Sequence, residues 1–68
     1  MFSLRISVNG ETRETGAKTL AELCAALGYG EMKIATALNG DFVPAARRAQ
    51  TPLTPADRVE IVAPRQGG

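Results

Sequence analysis

Phe2-Ser3-Leu4-Arg5-Ile6-Ser7-Val8-Asn9-Gly10 opens the chain just after Met1, and its reading decides the fold. Phe2, Leu4, Ile6 and Val8 are apolar, and Ser3, Arg5 and Ser7 between them are polar. Side chains on a strand point alternately to opposite faces, so this pattern predicts a strand with one face in a core and one in water. Asn9-Gly10 follows at once. Both residue types tolerate positive φ, which a two-residue type I′ hairpin turn demands. The returning segment, Glu11 to Thr15, has threonines but no large apolar residue, and reads as a polar edge strand that Gly16 ends.

Working outward, Thr19-Leu20-Ala21-Glu22 has the form of a capping box, with the Thr19 hydroxyl accepting near Glu22 and Glu22 reaching back. Leu20, Leu23, Cys24 and Leu27 then fall on one helical face, and Gly28 is a natural terminator. The helix is about nine residues and roughly 13 Å long, too short to be stable unless it packs on the sheet. Ile34 to Leu38 is apolar except for Thr36 and reads as a buried strand. Asn39-Gly40 turns it into the short strand Asp41-Phe42-Val43, which Pro44 stops because it has no N–H to donate. Ala45 to Ala56 reads as irregular, with Leu53 between Pro52 and Pro55 plugging the core from a turn. Arg58 to Ala63 is the last strand, with Val59, Ile61 and Ala63 on one face, and Pro64 ends it.

The expected class is α+β. A mixed sheet of four to five strands carries one helix across one face, which buries both apolar stripes. The first and last strands lie parallel and adjacent in the middle. That is the β-grasp, or ubiquitin-like, architecture, over residues 1–64, with residues 65–68 as a C-terminal tail.

Composition narrows the function. A chain of 68 residues forms one small domain that buries only about 60% of its unfolded surface, so a deep enzyme cleft is not expected. Hydrophobic residues at 44% and charged residues at 22% argue against wholesale disorder. The net charge of +1 disfavours nucleic acid as the main partner. The count of zero histidines removes histidine acid–base chemistry and histidine-ligated metal. One cysteine makes no internal disulfide and, alone, no Cys-rich metal site. No apolar run approaches the ~20 residues of a membrane span, and no signal peptide opens the chain, so a soluble cytoplasmic protein is expected.

The tail, Arg65-Gln66-Gly67-Gly68, has no apolar side chain. Ordering four such residues costs on the order of 4–8 kcal/mol in backbone entropy, so it is expected to be mobile. Extended, it reaches about 13 Å beyond the last strand. Taken alone, terminal glycines are a frayed end. They are also a backbone without Cβ, able to enter a channel too narrow for any side chain. A free carboxylate is a poor electrophile, but transfer of AMP from ATP would make it an acyl-adenylate open to attack by sulfur or nitrogen.

On these residues the chain resembles the ThiS family of sulfur carrier proteins. The matching stretches are Val8-Asn9-Gly10-Glu11, Thr19-Leu20-Ala21-Glu22-Leu23, Ala37 through Pro44, Asp57 through Val62, and the end Gln66-Gly67-Gly68. The chain departs from the family pattern in two places. Ala56 stands where members usually carry glycine, and Ala45-Ala46 follow Val43-Pro44 where a basic residue is usual. The resemblance implies a protein co-substrate, not an enzyme. An E1-like, ThiF-like adenylating enzyme would activate Gly68 with ATP and magnesium. Sulfur from a cysteine desulfurase would convert the terminus to a thiocarboxylate. A ThiG-like thiazole synthase would receive it for thiamine biosynthesis. The carrier itself would bind no cofactor and no metal.

Around that reading, Arg65, Gln66 and Gly67 are the expected partner-binding tail. Phe42, Val43, Arg47 and Arg48 are candidates for a docking surface, with Phe42 and Val43 equally able to close the core. Cys24 lies on the apolar helix stripe and is expected to pack as a small hydrophobe. Two alternatives stay open: a carrier for molybdopterin synthesis or another thiolation pathway, and a ubiquitin-like interaction module without a reactive terminus.

Overall fold

In the computed structural model, which describes residues 2–30 and 32–63, the alternating segment forms β1 (Leu4–Val8) and returns after its turn as β2 (Glu11–Thr15). Helix α1 (Leu20–Ala26), strands β3 (Ala35–Leu38) and β4 (Asp41–Val43), a 3-10 helix (Ala45–Gln50) and β5 (Arg58–Val62) follow. The five-stranded sheet has the order β2-β1-β5-β3-β4. Among the described residues only β1 and β5 pair in parallel, and they lie side by side as expected. This is the β-grasp fold. Leu4, Ile6, Val8, Val59 and Ile61 form the buried sheet face, and Leu20, Leu23 and Cys24 of α1 close over it with Leu53.

The capping box forms with one change. Thr19 Oγ1 accepts from the Glu22 N–H at 3.2 Å, while Glu22 Oε1 accepts from the N–H of Lys18, one residue before the cap, at 2.8 Å. The chain enters the helix beside another segment, with Leu20 N–H donating to the Thr51 carbonyl and Thr19 bridging Pro52.

Three expectations change. Phe2 lies outside β1 and is 51% exposed, because pairing begins only at Leu4 opposite Thr15. Its ring sits 5.7 Å from Lys18 Nζ. Residues 45–50 are a 3-10 helix, not irregular chain; this Ala- and Arg-rich run buries no residue and so carries no apolar period. In β3 the inward residue is Thr36, 2% exposed, because Thr36 pairs with Ile61 and Val43 and shares their face. Its hydroxyl donates to the Val43 carbonyl at 2.8 Å and accepts from Arg48 Nε at 3.0 Å. A buried hydroxyl is tolerated when its hydrogen bonds are made.

Both Asn-Gly turns have positive φ at both residues, Asn9 at 52° and Gly10 at 85°, Asn39 at 53° and Gly40 at 89°. Each asparagine also braces β5. Asn9 N–H donates to the Val59 carbonyl at 2.9 Å, continuing the parallel ladder. The next ladder bond, from Ile61 N–H, goes at 2.8 Å to the Asn9 side-chain Oδ1 in place of a main-chain carbonyl. Asn9 Nδ2 then donates to the Ile61 carbonyl at 3.1 Å. Asn39 does the same across the antiparallel pair. Its N–H donates to the Arg58 carbonyl at 2.7 Å, and Arg58 N–H donates to Asn39 Oδ1 at 2.8 Å. Asn39 Nδ2 reaches Asp57 Oδ1 at 3.0 Å.

Asp57 is buried before β5 and also accepts from the Thr54 N–H and hydroxyl. Burial pushes its carboxyl up, but the hydrogen bonds from Asn39 and Thr54 outweigh that and hold it below the usual carboxylate range. The residue before it, Ala56, has φ +71°, a left-handed conformation that an L side chain resists. Glycine adopts that conformation without the penalty. Ala56→Gly should relieve about 1–2 kcal/mol of strain and lose about 0.4–1 kcal/mol to unfolded-state entropy. The difference is a net gain of about 0–1.6 kcal/mol, read as a melting temperature unchanged or higher by several degrees. A lower melting temperature would contradict the strain.

Candidate functional site

Residues that pair directly across a sheet share a face, and the face away from α1 is open. Ala37 pairs with Phe42 on one side and Glu60 on the other, and Ala35 pairs with Val62. Phe42 is 69% exposed and Val62 63%. They form an apolar strip over β4, β3 and β5, flanked by the exposed Arg58 and Glu60. The strip reaches the end of β5, the strand that leads into residues 64–68. Sequence reasoning missed Ala35, Ala37 and Val62. Val62 was detectable, since it breaks the polar outward alternation of Arg58 and Glu60.

The expected docking residues separate. Phe42 points outward, whereas Val43 belongs to the core, 8% exposed, because it pairs with the inward Thr36. Phe42, Val43, Pro44, Arg47 and Thr51 line a depression of about 340 Å³ at the sheet edge, so Phe42 and Arg47 do come together. Arg48 is half-buried and partly engaged within the fold, with Nε donating to Thr36 and Nη2 donating to the Ile34 carbonyl at 2.6 Å. It ties the 3-10 helix to the start of β3. Arg65, Gln66, Gly67 and Gly68, with the expected mobility of the tail and the boundary at residue 64, lie outside the described residues.

Cys24 is buried in the core, as its place on the helix stripe implied. Burial raises its thiol pKa, and the nearby Arg48 charge only partly opposes this. A thiol held protonated is a weak nucleophile. Among the described residues no group of three or more His, Cys, Asp or Glu could hold a metal ion, and no helix is long and apolar enough to cross a membrane. A second depression, about 450 Å³, lies between β1 and the turn before β5 and is lined in part by Arg5, Ser7, Ala56 and Arg58.

Comparison with protein families gives a match to the ThiS family over residues 6–68, nearly the whole chain and including its Gly-Gly end. The chain belongs to the ThiS family. Among solved structures, it is similar to the crystal structure of the thiamine biosynthesis protein ThiS from Geobacter metallireducens. The TM-score is 0.78 and the identity 26%, over 96% of this chain and 100% of that one. A comparison with curated proteins gives no match. ThiS membership supports a sulfur-carrier role.

Proposed function

We propose that this ThiS-family protein carries sulfur as a thiocarboxylate on Gly68 and donates it to thiazole formation in thiamine biosynthesis. The observation that carries the reading is the family match running through Gln66-Gly67-Gly68 to the chain end. The chemistry belongs to the terminus and to the partners. A ThiF-like enzyme, using ATP and magnesium, would transfer AMP to the Gly68 carboxylate and release pyrophosphate. A persulfide originating from a cysteine desulfurase could then attack the acyl carbon and expel AMP. Cleavage of the resulting acyl disulfide by a thiol, which supplies two electrons as it becomes a disulfide, leaves the thiocarboxylate. The carrier would then pass this sulfur to a ThiG-like synthase. In this scheme the protein is a co-substrate and supplies no catalytic side chain.

The tail residues Arg65, Gln66 and Gly67 would thread the partner's channel, where Gly67 leaves no Cβ to obstruct. The strip of Phe42, Ala37 and Val62, with Arg47 at its edge, would seat the partner against the end of β5, the strand that leads into the tail. Aromatic and arginine side chains are the residue types that anchor interfaces.

The test is complementation. A bacterium deleted for its own thiazole sulfur carrier receives this gene together with its cognate activating enzyme. Growth without added thiazole is expected from the full chain and not from a chain lacking Gly68. Growth with the deleted terminus, or no growth from a folded full chain, would overturn the reading. Rescue of molybdopterin synthesis alone would move the carrier to that pathway.

A further inference from the structure

The two turn asparagines brace opposite ends of β5, and only one end leads to the reacting terminus. Asn39 holds Asp57 and Arg58, where β5 begins. Asn9 holds Ile61, near its end. The register shows why this matters. The β1–β5 pairing runs Ser7↔Arg58 and Val8↔Val59 and then stops, because the chain turns away at Asn9. The opposite edge of β5 stays paired further along, to Ala35↔Val62. Beyond Val59, the contact of β5 with the β1 side therefore includes the Asn9 side-chain amide. That amide occupies both main-chain groups of Ile61 at 2.8 and 3.1 Å, as a neighbouring peptide group would.

We propose that Asn9 is a positioning residue for the carrier's terminus. By acting as a surrogate peptide after β1 has turned, it fixes the direction in which the chain leaves the sheet toward residues 64–68. The end of β5 is thereby presented to the activating partner in one orientation. Asparagine is suited to both tasks. It accepts the positive φ of the turn, and its amide offers one acceptor and one donor at the reach of a peptide group. Aspartate keeps the acceptor for Ile61 N–H and loses the donor. Glycine keeps the turn and loses both. The proposal rests on the sulfur-carrier reading for its kinetic consequence but not for its structural one.

The experiment compares Asn9→Gly, Asn9→Asp and Asn39→Gly in the full-length chain. Asn39→Gly serves as a matched control, because it removes the same kind of brace from the other end of the same strand. Amide hydrogen exchange is followed at Arg58 and Ile61, and AMP transfer by the ThiF-like partner is measured against carrier concentration. In Asn9→Gly, exchange at Ile61 should accelerate by about tenfold or more relative to the control. KM for the carrier should rise several-fold, with kcat little changed, and Asn9→Asp should fall between. In Asn39→Gly, Arg58 should lose protection while KM stays that of the parent protein. Equal KM in Asn9→Gly and the parent, equal KM in the two glycine variants, or unchanged exchange at Ile61 would each overturn the proposal. Should Asn9→Gly fail to fold, Asn9→Asp carries the same comparison. A parent protein that is never adenylated would instead sink the carrier reading, leaving the exchange result to decide the bracing by itself.

Discussion

Deleting Gly68 should abolish activation and leave the melting temperature unchanged. The deletion shortens the chain by about 3.5 Å, and a misplacement of about 1 Å at a reacting centre already costs on the order of 100-fold. The new terminus, Gly67, is chemically the same acyl group, so position alone separates the two proteins. Loss of AMP transfer should therefore exceed about 100-fold. The buried apolar residues among those described lie between Leu4 and Ile61, so stability should move by less than about 0.5 kcal/mol, as surface changes do. Calorimetry and pyrophosphate release measure the two halves. A deleted protein adenylated at the full rate would contradict the terminal chemistry, and a deleted protein that melts early would contradict its independence from the core.

Leu20→Ala should do the reverse. Leu20 is fully buried, at 0% exposure, in the first turn of a seven-residue helix that depends on the sheet. Truncating such a leucine costs about 2–5 kcal/mol. A chain of 68 residues has about 3–10 kcal/mol in total. The melting temperature should fall by at least about 10 °C, and part of the population should be unfolded at growth temperature. At a temperature where the variant is folded, AMP transfer to Gly68 should match the parent protein, because Leu20 is a core residue packed with the buried sheet face. A loss below about 1 kcal/mol would mean that the helix does not hold the sheet in the way described.

The fold was legible wherever burial imposes a period. The alternation of β1, the leucine stripe of α1 and the Val59–Ile61 pair each name their own inward face. Reading failed where something other than apolar period sets the structure. The run 45–50 folds as a 3-10 helix without burying a side chain, so it leaves no stripe. Thr36 looked like the exception in an apolar strand and is its inward residue, because register with Ile61, not hydropathy, decides the face. The two bonds that Arg48 makes to Thr36 and Ile34 were also invisible in the sequence, since those partners lie 12 and 14 residues away. The asparagines announced their turns through backbone preference. Their side-chain work was invisible, since Asn9 finds Ile61 across 52 residues.

The candidate site divides in the same way. Gly67-Gly68 can be read without any fold, because a Cβ-free end and an acyl group are covalent facts. The apolar strip on the open face of the sheet is a product of pairing. Phe42 was anticipated, but its joining with Ala37 and Val62 depends on the β3–β4 and β3–β5 registers.

The most direct measurement is the intact mass of the full-length protein after incubation with its activating enzyme, ATP, magnesium and a persulfide donor. The account expects replacement of one oxygen by one sulfur, located by fragmentation at Gly68. An unchanged mass under conditions that release pyrophosphate, or sulfur found on Cys24 with Gly68 untouched, would contradict it.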